Sequence, residues 1–228
     1  MQKEMLWVIS LGGSRIAPNE VDYKFLEEFR ELIEKHPSKK FVVVTGGGKT
    51  SRIYMNALRK LGQKTKKQSL AGIGITRFHA GILARFFGKR ANEDIPENMK
   101  KVANLLRKNQ IVFCGALRWS PNQTSDGTAA NLAAYLKCYF INLTNVRGLY
   151  TSNPLTSKKA KFIKNISWKD FYERVNKIKF KAGQHFVLDQ SAAKIILEHK
   201  VRTYIVGSLK DIENIIIGKN FKGSLICG

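Results

Sequence analysis

The sequence predicts an α/β fold in which a largely parallel sheet is covered by helices on both faces. Short runs of β-branched and aromatic residues, at 6–9, 41–45 and 111–114, alternate with stretches that repeat apolar residues at helical spacing. Each run is soon followed by glycine, which allows the tight turns that join parallel strands to helices. We therefore expect a single α/β domain over residues 1–228.

The predicted elements follow one another in regular order along the chain. The helices after the first two strands have apolar faces formed by Phe25, Phe29, Leu32 and Ile33 and by Ile53, Ala57, Leu58 and Leu61. Further helices are expected at 76–87, 99–107, 126–134, 168–175, 189–198 and 211–217. Further strands are expected at 139–144, at 201–206 and, at an edge of the sheet, at 225–226, with a polar excursion over 145–165.

Charge is the outlying property of the composition. The chain has 40 Lys and Arg residues against 17 Asp and Glu residues, a formal net charge of +23. Such a field attracts nucleic acid, acidic lipid or anionic small molecules. The basic residues are spread along the whole chain, which favours a general lysine-rich bias over a nucleic-acid-binding segment. Nucleic acid is thus a disfavoured partner, whereas anionic substrates would profit from the field.

The rest of the composition excludes several classes of protein. No uninterrupted apolar run reaches membrane-spanning length, and the first five residues are too polar to open a secretion signal. The three cysteines are far apart and form no CxxC pair, which argues against a disulfide framework or a zinc site. We expect a cytoplasmic protein without a membrane partner, and we assign no metal ligand.

Glycines follow three of the predicted strands, at 12–13, at 46–48 and at 115. Ligands of open parallel sheets bind beyond the carboxyl ends of the strands, where glycine lets the backbone approach a phosphate. The helix after each loop adds free N–H groups and the positive end of its dipole. The spacing matches neither the GxxxxGK[ST] loop nor the GxGxxG loop. The pattern predicts a phosphate-binding, phosphoryl-transferring site of another kind.

Two charged residues lie close to these loops in the sequence. Arg52 follows Gly46 by six residues, so its guanidinium can fold back and hold a phosphate with two hydrogen bonds. Asp126 opens a helical segment, and two interpretations stay open for it. It either caps the helix or orients a lysine or magnesium beside the transferred group. Thr124 and Ser125 carry hydroxyls that can donate to phosphate oxygens.

With these residues in view, the chain resembles the amino acid kinase superfamily, and within it the archaeal uridylate (UMP) kinases. The resemblance runs nearly from end to end, and it depends on the order and spacing of short motifs. These motifs are Leu11-Gly12-Gly13-Ser14, Gly46-Gly47-Gly48-Lys49 with Arg52, Gly72-Ile73-Gly74-Ile75-Thr76-Arg77, Thr124-Ser125-Asp126, Thr144-Asn145-Val146-Arg147-Gly148-Leu149-Tyr150 with Pro154, Asp189 with Ala192-Ala193-Lys194, and Val206-Gly207.

The resemblance implies a three-layer αβα fold, ATP and Mg²⁺ as donor and cofactor, and phosphorylation of UMP to UDP in pyrimidine biosynthesis. It also implies an acceptor-binding part over 1–143, an ATP-binding part over 144–228, and assembly as dimers or trimers of dimers. The implied catalytic residues are Asp126, Arg52, Gly12 and Gly13. The implied donor-site residues are Gly13, Ser14, Gly48, Arg52, Thr144, Asn145, Tyr150 and Asn153. The implied acceptor-site residues are Gly47, Ser69, Trp119, Ser120, Pro121, Asn122, Gln123, Thr124 and Ser125.

The chain departs from the family pattern at several of these positions. Ser10 stands where many relatives carry lysine, which removes one positive group from the transition state. Ser69 stands where UMP kinases place an aspartate on the acceptor's ribose, and Arg147 and Asn153 also replace aspartates. Two alternatives therefore stay open. One is a sister kinase for another phosphate monoester, aminomethylfuran phosphate or isopentenyl phosphate, the latter disfavoured because residues 48–61 contain no histidine. The other is a catalytically weak nucleotide-binding regulator whose basic surface binds nucleic acid.

Overall fold

The computed structural model of the chain describes residues 6–120, 124–177 and 188–228. The strands are β1 (Leu6–Leu11), β2 (Lys40–Thr45), β3 (Ile111–Cys114), β4 (Tyr139–Leu143), β5 (Leu149–Tyr150), β6 (Phe162–Ile163), β7 (Asn165–Ile166), β8 (Thr203–Val206) and β9 (Gly223–Ile226). The helices are α1 (Gly13–Ile16), α2 (Tyr23–Glu34), α3 (Gly48–Lys60), α4 (Thr65–Phe87), α5 (Met99–Lys108), α6 (Ser125–Leu136), α7 (Trp168–Lys177), α8 (Gln190–Glu198) and α9 (Leu209–Ile216).

Seven of these strands form a central sheet in the order β3-β2-β1-β4-β8-β9-β7, and β5 and β6 form a separate antiparallel pair. All neighbours in the central sheet are parallel except β8 and β9. The prediction of a largely parallel sheet is therefore confirmed. The prediction that residues 225–226 form an edge strand is wrong, because β7 pairs with the outer side of β9.

Helices cover both faces of this sheet. All six residues of β1 are buried, as expected of a strand between two layers. Alternate residues of the strands point into two separate cores. Val8 packs in one core with small residues of α6 such as Ala129, and Ile9 packs in the other with Phe29 of α2. These three layers confirm the αβα fold that the sequence predicted.

Helix α4 begins at Thr65, eleven residues before the predicted start at residue 76. The additional turns contain Gly72, which is unfavourable in a helix on intrinsic propensity. Glycine lets α4 lie close to α3 at this point, since an added Cβ would be only 3.0 Å from both Ser51 Oγ and Met55 Sδ of α3. Neither this helix nor any other within the described ranges is long and apolar enough to cross a membrane.

The apolar face predicted for α3 is largely exposed. Ile53 is 57% exposed and Leu61, just after the helix, is 72% exposed, whereas Leu58 is half-buried. The buried edge of α3 is instead formed by Ser51, with Met55 half-buried beside it. The predicted helix is present, but its apolar face stays largely exposed, since α3 lies against Gly72 of α4 through Ser51 and Met55.

Candidate active site

A cavity of about 480 Å³ lies at the carboxyl ends of β1 and β4, which are neighbours in the sheet. This edge is where open parallel sheets bind ligands. The cavity is lined by the first glycine loop, the start of α6 and the segment after β4. It brings together seven residues of the predicted site: Gly12, Ser14, Asp126, Thr144, Asn145, Tyr150 and Asn153.

The carboxyl group of Asp126 is held by two polar residues of the sheet. Ser10 Oγ donates to Asp126 Oδ1 at 2.6 Å, and Asn142 Nδ2 donates to the same oxygen at 3.2 Å. Ser10 and Asn142 are register partners on β1 and β4, and both are buried. Asn142 was not among the predicted site residues, and Ser10 was expected only as a departure from the family pattern. Polar residues inside buried, mostly apolar strands are the signal that would have found them.

The pKa of Asp126 is raised to about 7, mainly by burial and also by the negative charge of Asp189. The hydrogen bonds from Ser10 and Asn142 lower this pKa, because they stabilise the charged form, and they do not offset the burial. Asp126 is therefore a carboxyl group that changes charge near neutral pH. Groups of this kind occur often at catalytic sites.

Stability should depend on pH through Asp126 in the nucleotide-free protein. The folded state binds this proton up to about pH 7, whereas an unfolded chain releases it near pH 3.8, so folding stability is lost as the pH rises through this window. Between about pH 5 and about pH 8 the loss is roughly 3 kcal/mol at most, at about 1.4 kcal/mol per tenfold change in proton affinity. Urea unfolding of the wild type and of Asp126→Asn at both pH values checks this. An equal pH dependence of the two proteins would contradict the raised pKa.

Thr124 is the residue that caps α6, so the interpretation of Asp126 as the helix cap is wrong. Thr124 Oγ1 accepts a hydrogen bond from the Gly127 backbone nitrogen at 3.2 Å and donates its hydrogen to Asp189 Oδ2. Asp189 in turn caps α8 through the Ala192 backbone nitrogen at 2.9 Å. The hydroxyl that was predicted to donate to a phosphate is therefore engaged between two helix starts. A phosphate would have to displace Asp189 from it.

The first two glycine loops are packed against each other through their backbones. A Cβ on Gly13 would lie 2.4 Å from the Gly48 backbone nitrogen and 2.6 Å from the Gly46 carbonyl oxygen. The third predicted loop glycine, Gly115, would place a Cβ 2.5 Å from the backbone nitrogen of Arg77 on α4. Close approach of backbones therefore requires these glycines, and none of them lines the cavity.

Gly12 differs from the other loop glycines. Its φ of −59° suits any residue, and a Cβ added to it would meet nothing nearer than Ser14 Oγ at 3.9 Å. Neither the backbone conformation nor the packing of the protein requires glycine at this position. Because Gly12 lines the cavity, its missing side chain leaves space for a ligand.

The residues predicted to bind the acceptor lie at the start of α3, on α4, in the loop after β3 and at the start of α6. Arg52 of α3, predicted as a catalytic and donor-site residue, does not line the cavity; it is exposed and makes no hydrogen bond or ion pair with the part of the chain that the structure describes. Lys66 Nζ lies 5.1 Å from the centre of the Trp119 ring, which brings this loop to the first turn of α4, beside half-buried Ser69. The other predicted acceptor residues are Gly47, Ser120 and Ser125, which are half-buried, and Pro121, Asn122 and Gln123, which lie outside the described residues.

Arg77 of α4 fixes the beginning of that loop, a role that was not predicted from the sequence. Its Nε donates to the Ala116 carbonyl at 3.1 Å, its Nη2 donates to the Leu117 carbonyl at 2.5 Å, and its Nη1 contacts Glu97 at 2.7 Å. An arginine inside a mostly apolar helical segment is the signal that points to such a role. The first residues of the loop that carries Trp119 are thus held against α4.

Comparison with known proteins gives a consistent family assignment. A sequence model described as "Amino acid kinase family" matches residues 5–207. The uridylate kinase of Archaeoglobus fulgidus is 35% identical over 221 residues, which cover 96% of both chains. The uridylate kinase of Methanosarcina mazei is 32% identical over 231 aligned positions, which cover 98% of this chain and 97% of that protein.

Solved structures agree with the sequence comparison. The crystal structure of the A. fulgidus uridylate kinase matches with a TM-score of 0.84 at 32% identity and covers 97% of this chain and 99% of its own. The fold extends to an aspartate kinase from Synechocystis, with a TM-score of 0.74 at 15% identity over 98% of this chain and 40% of that one.

Proposed function

This chain belongs to the amino acid kinase family, and on that premise we propose that it transfers the γ-phosphoryl group of ATP to UMP, giving UDP. The observation that carries this proposal is the cavity in which Asp126 faces the predicted donor-site residues. Relatives that bear the name uridylate kinase match nearly the whole chain at 31–35% identity. The enzyme is thus an ATP-dependent phosphotransferase of pyrimidine nucleotide synthesis.

The cavity suits the donor nucleotide in size and in chemistry. Its volume of about 480 Å³ lies within the range of small-molecule sites. Tyr150 offers an aromatic ring to a base, and Thr144, Asn145 and Asn153 offer polar groups. The open space at Gly12 leaves room for phosphate groups close to the backbone. We propose that ATP binds here with its phosphates toward Gly12 and Asp126.

Asp126 also fits the Mg²⁺ that such a reaction uses. Its Oδ1 is occupied by Ser10 and Asn142, and its Oδ2 makes no hydrogen bond with a described residue. Mg²⁺ is usually held by one or two carboxylates together with substrate phosphates and water. The described residues contain no group of three or more metal-binding side chains, so the phosphates would complete the shell. When bound, Mg²⁺ supplies charge that offsets the phosphates. Asp126 would hold that charge beside the phosphoryl group that is transferred.

The acceptor would lie between this cavity and the α3–α4 pair. Gly13 and Gly48 join the two loops at backbone contact, and Gly48 begins α3, in which Arg52 lies four residues later. Arg52 is exposed without a described partner, and a phosphate monoester would supply one. Ser69 and Trp119 would then face the rest of the acceptor. On this arrangement we propose that the loop at 119–125 contacts the acceptor.

A coupled assay of ADP release tests the acceptor. UMP, CMP, AMP and GMP are compared with isopentenyl phosphate and an aminomethylfuran phosphate, and a reaction without acceptor measures ATP hydrolysis. We expect the largest kcat/KM with UMP. Turnover of another phosphate monoester with no turnover of UMP would overturn the proposal and favour a sister kinase. ATP binding with no turnover of any acceptor would favour a nucleotide-binding regulator.

Replacing Arg52 with alanine should weaken substrate binding more than it lowers kcat. The loss of a charge-assisted hydrogen bond to phosphate costs about 1.5–3 kcal/mol, which corresponds to roughly a tenfold or larger rise in KM. Arg59→Ala is the matched control, because Arg59 is also an exposed arginine of α3. Steady-state kinetics measure both variants. Equal KM values for the two variants would remove Arg52 from the site.

We also propose that the chain self-associates through α3 and α4. These two packed helices, with the turn that joins them, carry an unusual set of exposed apolar side chains. The set consists of Ile53 at 57% exposure, Leu61 at 72%, Leu70 at 47%, Phe78 at 61% and Ile82 at 40%. A second copy of the chain would bury them.

This association should strengthen with salt. Residues 35–92 contain no Asp or Glu, so two copies that meet on this surface bring like charges together, and salt screens the repulsion. Sedimentation velocity at about 0.1 M and about 0.5 M salt should show more dimer at the higher concentration. Phe78→Lys should give monomer, whereas Tyr135→Lys, an exposed aromatic position of α6, should not. A wild-type monomer at both salt concentrations contradicts the proposal.

A further inference from the structure

The donor cavity contains almost no positive charge, although the whole chain carries +23. Among the described residues that line it, the charged ones are Arg15 and Asp126. A nucleotide triphosphate brings several negative charges into this space. Arg15 is therefore the side chain of the lining that can offset them.

The guanidinium of Arg15 is held at the carboxyl ends of two neighbouring strands. Its Nη2 donates to the carbonyl oxygen of Thr144 at 2.8 Å and to that of Gly207 at 2.8 Å. Thr144 and Gly207 directly follow β4 and β8, which are parallel neighbours. Carbonyl groups at these strand ends carry partial negative charge, which would repel a phosphate. The contact places a full positive charge over them.

The rest of the guanidinium is not used by the described protein. Arg15 forms no ion pair with a described Asp or Glu, so its charge is not neutralised by a carboxylate. Its Nη1 makes no hydrogen bond with a described residue, and its Nε is buried without a partner. The ring of Phe25 lies 5.9 Å from Cζ and packs along the group. The side chain is thus fixed by Nη2, while Nη1 keeps donors for an anion.

We propose that Arg15 binds the phosphate groups of the donor nucleotide through Nη1, while Nη2 holds the Thr144 segment in place. This inference rests on the proposed function, because it takes the cavity to be the ATP site. Arg15 stands directly after the Gly-Gly-Ser loop. The loop thus contributes space at Gly12 and charge at Arg15.

Affinities for ATP, ADP and adenosine, measured by calorimetry on the whole chain, test this assignment. Arg15→Met should weaken ATP and ADP binding by about ten- to a hundredfold, and adenosine binding by less than about twofold, since adenosine has no phosphate. Arg15→Lys keeps the charge but loses the fork that holds two carbonyls and an anion at once, so its ATP affinity should fall between those of the wild type and Arg15→Met. Arg59→Met removes an exposed positive charge elsewhere and should leave all three affinities unchanged.

Two outcomes would overturn the role of Arg15. One is unchanged ATP affinity in Arg15→Met. The other is an equal loss of ATP and adenosine affinity, which indicates a purely structural role. If Arg15→Met does not fold, Arg15→Gln replaces it with the same expectations. The binding measurement needs no acceptor, so a failure of UMP turnover contradicts the proposed function and leaves the Arg15 result standing.

Discussion

Asp126→Asn should lower kcat by about a thousandfold and change ATP affinity by less than about fivefold. Asparagine keeps the shape of the side chain and can still accept from Ser10, but it removes the negative charge from the proposed point of phosphoryl transfer. A group that organises charge acts mainly on the transition state, so its loss appears in kcat. Stopped-time assays with UMP and calorimetry with ATP measure the two effects separately.

Asp170→Asn is the matched control for this change. Asp170 also lies in the first turn of a helix, α7, and also accepts from a serine, since Ser167 Oγ donates to its Oδ2 at 2.7 Å. It is exposed and lies outside the cavity lining. The control should keep wild-type turnover. A folded Asp126→Asn protein with unchanged kcat would remove Asp126 from the mechanism.

Alanine at the two adjacent loop glycines should give two different defects, one in ATP binding and one in stability. Gly12→Ala should fold normally but bind ATP at least about tenfold more weakly, because its methyl group enters the open space of the cavity. Gly13→Ala should destabilise the fold by about 3 kcal/mol or more, since its Cβ would lie 2.4 Å from the Gly48 backbone nitrogen. In a chain of this size the Tm falls by roughly 6–12 °C.

Thermal melts and ATP calorimetry on the same preparations separate these defects. Gly74→Ala is the control, because Gly74 is exposed in α4 and a Cβ there meets nothing within 4 Å. It should keep both stability and affinity, with a small gain in helix stability. Normal ATP binding by Gly12→Ala would show that the space at Gly12 serves no phosphate.

The layers of the fold could be predicted because the strands are long apolar runs. The apolar run at 41–45 indicates a buried strand without any reference to its neighbours, and β2 is indeed buried along almost its whole length. The face of α3 could not be predicted in this way, because helical spacing gives the apolar side and does not give the partner. Whether Ile53 packs inside or stays exposed depends on how α3 lies on α4, where Ser51 is buried against Gly72.

Among the residues that line the candidate cavity, those at strand ends and helix starts could be predicted from the sequence, and those brought together by strand register were missed. Gly12, Asp126 and Thr144 stand at strand ends or helix starts, which are visible in the sequence. The pair of Ser10 and Asn142 depends on the alignment of β1 with β4, strands separated by more than a hundred residues. Gly115 shows the converse error, since its strand-end position indicated an anion loop and the packing of α4 accounts for it.

The carboxyl group that Ser10 and Asn142 hold also couples ligand binding in the cavity to the release or uptake of protons. With a pKa of about 7, Asp126 carries a proton in about half of the free molecules at neutral pH. A ligand that brings a cation to the carboxylate expels that proton, whereas a bare phosphate beside it retains or captures one. Calorimetry in buffers of different ionisation enthalpy reads the sign of this exchange. That sign reports whether metal or phosphate oxygen lies next to Asp126.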